Sequence, residues 1–134
     1  MSAKENRLRE QAAAQNSSNT SHFSDLAAQY QAALSEKTLI YAADLFGVSV
    51  ELLRRLGMGW DNDFLTFPEY DAEGQVIGIA RRPKHGKKHM VTGSHRGLTM
   101  AWPLDTYAGT SLNDPILVVE GQSDCAVGYE LGFT

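Results

Sequence analysis

Glu120 and Asp124 are the residues whose types and spacing best suit chemistry in this sequence. They flank the run Glu120-Gly121-Gln122-Ser123-Asp124, directly after the apolar stretch Ile116-Leu117-Val118-Val119. Four consecutive β-rich apolar residues read as a strand covered on both faces. In open α/β sheets ligands bind outside the carboxyl ends of the strands, which is where Glu120 would stand. Gly121 would let the backbone turn sharply or approach a ligand closely. Two carboxylates facing one crevice would suit a hard divalent cation and phosphate oxygens. The competing reading is purely structural. In it Glu120 is a solvated strand-end residue, and Asp124 caps a helix that runs to Leu131 and stops at Gly132.

A second grouping is cationic. Arg81, Arg82, Lys84, Lys87, Lys88 and Arg96 are six of the twelve basic residues, and no Asp or Glu falls between Glu73 and Asp105. That window carries +6 and leaves −10 on the rest of a chain whose net charge is −4. The average argues against a nucleic-acid partner, whereas the distribution permits one. Lys and Arg on a hairpin would contact template phosphates, with His85, His89 and His95 as further donors. Lysines also protect an exposed sheet edge, which is the simpler explanation. Trp102 or Phe67 would be candidates for stacking on bases, although such aromatics are also core material. His85 and His89 stand four apart, but Gly86 between them argues against a helix, and no zinc site is expected. Ala43, Gly47, Val48 and Leu53 match helix-turn-helix spacing, with Arg54 and Arg55 on the second helix. Ordinary helix pairs share that spacing.

The elements that would position these groups follow from periodicity. Residues 1–21 read as a flexible tail: the stretch to Gln15 permits a helix, and Asn16 to Ser21 breaks it. Phe23, Leu26, Ala27, Tyr30 and Leu34 follow helical spacing, continued by Leu39, Ala42, Ala43 and Phe46. Gly47 interrupts, Ser49 caps a third helix over Val50 to Leu56, and Gly57 and Gly59 end it. Residues 22–60 are thus a helical lead-in. Phe64 to Phe67 is a strand stopped by Pro68, Asp71 to Gly74 a turn, and Val76 to Ala80 the second strand of a hairpin. Lys87 to Thr92 and Leu98 to Trp102 are further strand candidates, and Pro103 to Pro115 is mostly loop. Residues 61–112 therefore read as a small β-rich subdomain carrying the basic segment. Residues 113–134 read as a strand–loop–helix unit, the first half of a parallel βαβ.

This last unit resembles the first motif of the Toprim domain, shared by bacterial-type primases, topoisomerases and related nucleases. The match is the apolar strand, then Glu120-Gly121, two residues, Asp124, a short helix and Gly132. The hairpin Phe67-Pro68-Glu69-Tyr70-Asp71-Ala72-Glu73-Gly74-Gln75-Val76-Ile77-Gly78 resembles that of the primase group. Arg81, Arg82, Lys87-Lys88-His89-Met90 and Arg96-Gly97-Leu98 follow in similar order, and Phe46 to Trp60 looks like the lead-in of phage and plasmid primases or primase-helicases. The resemblance implies magnesium-dependent nucleotidyl transfer in DNA replication, making RNA primers. Glu120 would be the catalytic acid and a metal ligand, with Gly121, Asp124 and Gly132 as structural members of the motif. It implies as partners a DNA template, nucleoside triphosphates and a replicative helicase domain or protein. The family's second acidic motif, Asp-x-Asp, would lie beyond Thr134, so the chain reads as part of a larger replication protein that is inactive alone. The alternative is a non-catalytic nucleic-acid-binding module.

Length and composition set the outer bounds. The 134 residues suit roughly one domain, and 43% hydrophobic against 21% charged residues excludes wholesale disorder. The one cysteine, Cys125, excludes an internal disulfide framework and reads as a small buried hydrophobe. No apolar run approaches the ~18 residues of a membrane span, and the N-terminus lacks a signal-peptide core, so a cytoplasmic protein without a membrane partner is expected. The fold class expected is α/β with an α+β lead-in. It comprises N-terminal helices, a small antiparallel sheet and the opening strand–helix unit of a Toprim domain.

Overall fold

The computed structural model describes residues 2–102 and 117–133, with the backbone alone over 16–21. Its elements, in order, are α1 (Ala3–Ala33), α2 (Glu36–Phe46), α3 (Val50–Arg55), β1 (Gly59–Trp60), β2 (Phe64–Tyr70), β3 (Val76–Pro83), β4 (His89–Met90) and α4 (Gln122–Glu130). The fold class is mixed α and β, as expected, with a four-stranded antiparallel sheet in the order β1-β2-β3-β4.

Helix boundaries follow local capping chemistry. Ser35 and Ser49 occupy N-cap positions and accept from the backbone N–H of Thr38 and Leu52. Gly47 closes α2 at φ 69°, a left-handed conformation that glycine adopts without steric cost. One expectation fails here. The chain does not break at Asn16 to Ser21, because α1 runs through it without interruption. Ser2 and Glu5 start the helix with a reciprocal capping box, and its later turns are packed. Asn, Ser and Thr inside a helix cost only about 0.5–0.7 kcal/mol each, which a nucleated and anchored helix tolerates.

The sheet is covered on both faces. Phe23 and Ala27 of α1 bury against Ile79 of β3, joined by Leu26, Tyr30, Val76 and Val91. The other face carries the larger core, in which Leu39, Ala42, Leu52, Leu53 and Leu56 meet Leu65 and Phe67 of β2 and Ala126 of α4. This double covering is why β2 is buried along nearly its whole length.

Pro68 does not stop β2. It pairs with Ile79 in mid-strand. The bonds Asp61 N–H to Phe64 O and Tyr70 N–H to Leu98 O show which edge the even-numbered residues of β2 face. Pro68 therefore turns its nitrogen to the β1 side, past Gly59 where β1 begins, and no ladder bond is lost. The turn after β2 is as read: Asp71 Oδ1 accepts from Glu73 and Gln75 N–H, and Gly74 sits at φ 79°. β3 extends three residues beyond the expected Ala80, to Pro83.

Three other strand expectations contract or fail. The candidate Lys87 to Thr92 reduces to the two residues of β4. Leu98 to Trp102 keeps only an isolated bridge between Leu98 and Tyr70. Residues 117–119 are not a strand, and Val118 is 87% exposed rather than covered on both faces. A strand exists by pairing, and no described residues form a ladder with this stretch. Ile116 and the loop read over Pro103 to Pro115 lie outside the described residues. The helix that follows does form, but its N-cap is Gly121 and Asp124 stands inside the first turn without a capping bond. An acid there still meets the positive end of the helix favourably. Gly132, at φ 93°, ends it as expected.

Candidate functional site

The Glu120–Gly121 turn is placed by α4, which is held at both ends. At its far end Glu130 Oε2 accepts from Ser49 N–H at 3.1 Å, and the Tyr129 hydroxyl accepts from Ala101 N–H at 3.4 Å. At its near end the Gln122 side-chain amide donates to Glu69 Oε2 at 3.2 Å. Glu69 lies on β2 and is 1% exposed. Its other oxygen accepts from Gly97 N–H at 2.9 Å and faces Arg96 Nε at 3.2 Å. Beside this network opens a cavity of about 290 Å³. Its lining includes Glu69, Arg96, Leu117, Glu120, Cys125 and Tyr129.

Glu120 and Asp124 are both exposed. Gly121 is in extended backbone at φ −125°, which any residue adopts. A methyl group there would meet Lys88 Nζ and Asp124 Oδ2 at 3.4 Å, an ordinary contact. Neither a sharp turn nor a close approach therefore demands glycine at this position. Lys88 does bring the basic segment up to the acidic motif. Among the described residues no three His, Cys, Asp or Glu side chains cluster in a way suited to a metal ion. Glu120 and Asp124 offer the oxygen donors magnesium takes, but too few of them to hold it alone.

The six basic residues split into two groups. Arg81 pairs with Asp61 at 2.6 Å and lies 5.6 Å from the centre of the Phe64 ring. Partial burial pulls its guanidinium down, but the Tyr30 hydrogen bond and the Asp61 charge outweigh that and hold its pKa above the ordinary value. Arg82 stacks on Phe46 at 4.7 Å, and Arg96 pairs with buried Glu69. Arg81 and Arg82 are engaged within the fold, whereas Arg96 keeps 70% of its side chain exposed while it pairs with Glu69. Lys84, Lys87 and Lys88, with His85, are exposed around the β3–β4 connection and present further cations to solvent.

The remaining candidates resolve as structure. Phe67 is 1% exposed and Trp102 packs edge-on against Tyr70 at 5.5 Å, so neither is set out as a stacking platform. His89 lies edge-on to Phe64 at 5.0 Å. The Cys125 thiol donates to Thr99 O at 3.4 Å, and burial pushes its pKa up, the reverse of an activated nucleophile. The second member of the helix pair is short. α3 has six residues, Arg54 pairs with Glu36 at 2.7 Å, and Arg55 donates to Trp102 O.

Glu69 is the site residue that sequence reasoning passed over. The signal was available, because Leu65, Phe67 and Glu69 alternate onto one face of a strand whose apolar members are core. An acid in that row must find partners inside the fold. Compared with known proteins, the chain matches no family model, no curated protein and no solved structure.

Proposed function

We propose that the chain belongs to a Toprim-containing, primase-like protein that joins nucleotides into short RNA primers during DNA replication. One observation supports this best: Lys88, from the basic segment, reaches the Glu120–Gly121 turn although it lies 33 positions before Gly121 in the sequence. Primer synthesis needs an acid at the reacting hydroxyl and cations for the phosphates around it. In this reading Glu120 accepts the proton of the 3′ hydroxyl as that oxygen attacks the α-phosphorus and pyrophosphate leaves, and Lys84, Lys87 and Lys88 hold template or triphosphate oxygens. Magnesium, when bound, would take Glu120 among its ligands and offset phosphate charge. A helicase domain or protein would supply the template strand.

The test is template-directed RNA synthesis by the complete gene product, with magnesium and labelled nucleoside triphosphates. Glu120→Gln should lower it by about a hundredfold or more, the usual scale for a lost acid/base group. Unchanged synthesis in that variant overturns the assignment.

A second reading is binding without catalysis, favoured by the exposure of Glu120 and Asp124. It requires the 134-residue chain to bind DNA with steep salt dependence. Lys84→Ala, Lys87→Ala and Lys88→Ala should each reduce the slope of log K against log salt by about 0.7–0.9. A slope unmoved by all three would exclude this segment as the interface under either reading.

A further inference from the structure

We infer that Glu69 is a positioning residue, which holds the Glu120–Gly121 turn at a set place against β2 by binding Gln122. The inference rests on the reading of Glu120 as the reacting acid. Among the described residues Thr66, Glu69 and Gln122 are the polar or charged residues buried over backbone and side chain together, and the last two bond to each other. Gln122 is the first residue of α4 and lies two positions beyond Glu120. Its partner sits on the most deeply buried strand of the sheet. The turn that carries Glu120 is thereby referenced to the core, although Glu120 itself is exposed.

The chemistry of the anchor makes its geometry all-or-none. A buried carboxylate accepts only, and here Gly97 N–H, Arg96 Nε and the Gln122 amide converge on it. Losing any donor leaves an undercompensated buried charge, so intermediate placements of the turn are disfavoured. A neutral, flexible contact would let the turn drift, and small displacements of a reacting group are costly in rate.

A reciprocal exchange tests this. Gln122→Glu sets two carboxylates face to face, and Glu69→Gln added to it restores a bond with donor and acceptor reversed. The first readout is amide hydrogen exchange in the 134-residue chain. Gln122→Glu should speed exchange at Cys125 N–H, which bonds to Gly121 O at 2.9 Å, by about tenfold or more, with the sheet amides unaffected. The double variant E69Q/Q122E should return to within about threefold of the parent. Should Gln122→Glu fail to fold, Gln122→Leu removes the bond without repulsion and predicts the same local loosening. In the complete gene product, Gln122→Glu should lower kcat about tenfold at unchanged KM for nucleoside triphosphate, and the double variant should recover it. Unaltered exchange at Cys125, or no recovery in the double variant, overturns the inference whatever Glu120 does. Synthesis unaffected by Glu120→Gln overturns the primase reading instead, and the exchange result then stands as an anchor for α4.

Discussion

Replacing Asp61 by alanine removes three acceptor contacts at once. Oδ2 takes Arg81 Nε at 2.6 Å, and Oδ1 takes the backbone N–H of Phe64 at 3.0 Å and of Asp63 at 3.4 Å. The Asp61 side chain is 5% exposed and that of Arg81 26%. The charged bond contributes about 1.5–3 kcal/mol and the Phe64 bond about 1, while the long Asp63 contact adds little. Arg81 can turn part of its guanidinium to water, so the loss stays below the upper end of the roughly 3–5 kcal/mol seen when a fully buried pair is broken. The expected cost is about 3 kcal/mol for Asp61→Ala. Asp61→Asn keeps an oxygen for Phe64 N–H and should cost about half as much. The assay is urea unfolding followed by tryptophan fluorescence, with Arg81→Met completing a double-mutant cycle. A coupling energy of about 1.5 kcal/mol is expected. Asp61→Ala costing less than about 1 kcal/mol, or a coupling near zero, would refute the view that Arg81 is occupied within the fold.

Two further outcomes follow from backbone conformation and burial. Gly47 and Gly57 both have positive φ, yet a methyl group at Gly47 meets nothing within 4 Å, whereas at Gly57 it would stand 2.7 Å from Pro68 Cγ. Thermal melts should therefore show Gly47→Ala costing about 1 kcal/mol and Gly57→Ala about 2–4 kcal/mol. Equal costs would mean that the Pro68 contact is relieved freely. Burial raises the pKa of Cys125 in the folded chain, so the unfolded chain gives up its proton first as pH rises. Its contribution to stability is whole below the ordinary thiol pKa and declines above about pH 8.5. Iodoacetamide labelling should thus reach half its maximal rate at higher pH in the folded chain than in urea, and a midpoint at or below the urea value would contradict the burial.

What was legible in the sequence was what local chemistry decides. Ser49, Gly47 and the Asp71–Gly74 turn act within four residues of themselves, and their elements stand where spacing put them. Pro68 was misjudged because its harmlessness depends on where β1 begins, a fact about another strand. The stretches at 98–102 and 117–119 have the composition of strands, but composition does not supply a partner for their hydrogen bonds. The charge of the basic segment was plain, while its division was not. Folding sets Arg81 on Asp61, Arg82 on Phe46 and the still exposed Arg96 on Glu69, and places three lysines at the β3–β4 connection. Glu69 itself was readable from alternation along β2, had the acid been weighed as a core-facing residue.

The succession of the strands has a kinetic meaning. Every strand of the sheet pairs with its neighbour in sequence, and β2 and β3 are joined by a five-residue connection. Closing such short loops costs little entropy, so the sheet can assemble from contacts made early. α1 and α4 are different. Phe23 of α1 packs on Ile79, 56 positions further on, and the ties of α4 span 53 residues at Glu69 and 81 at Ser49. Of these two, α4 follows in sequence the elements it binds, so the acidic motif is translated after its scaffold. During synthesis on the ribosome the lysine-bearing connection would be displayed before Gly121, which Lys88 approaches, has been translated.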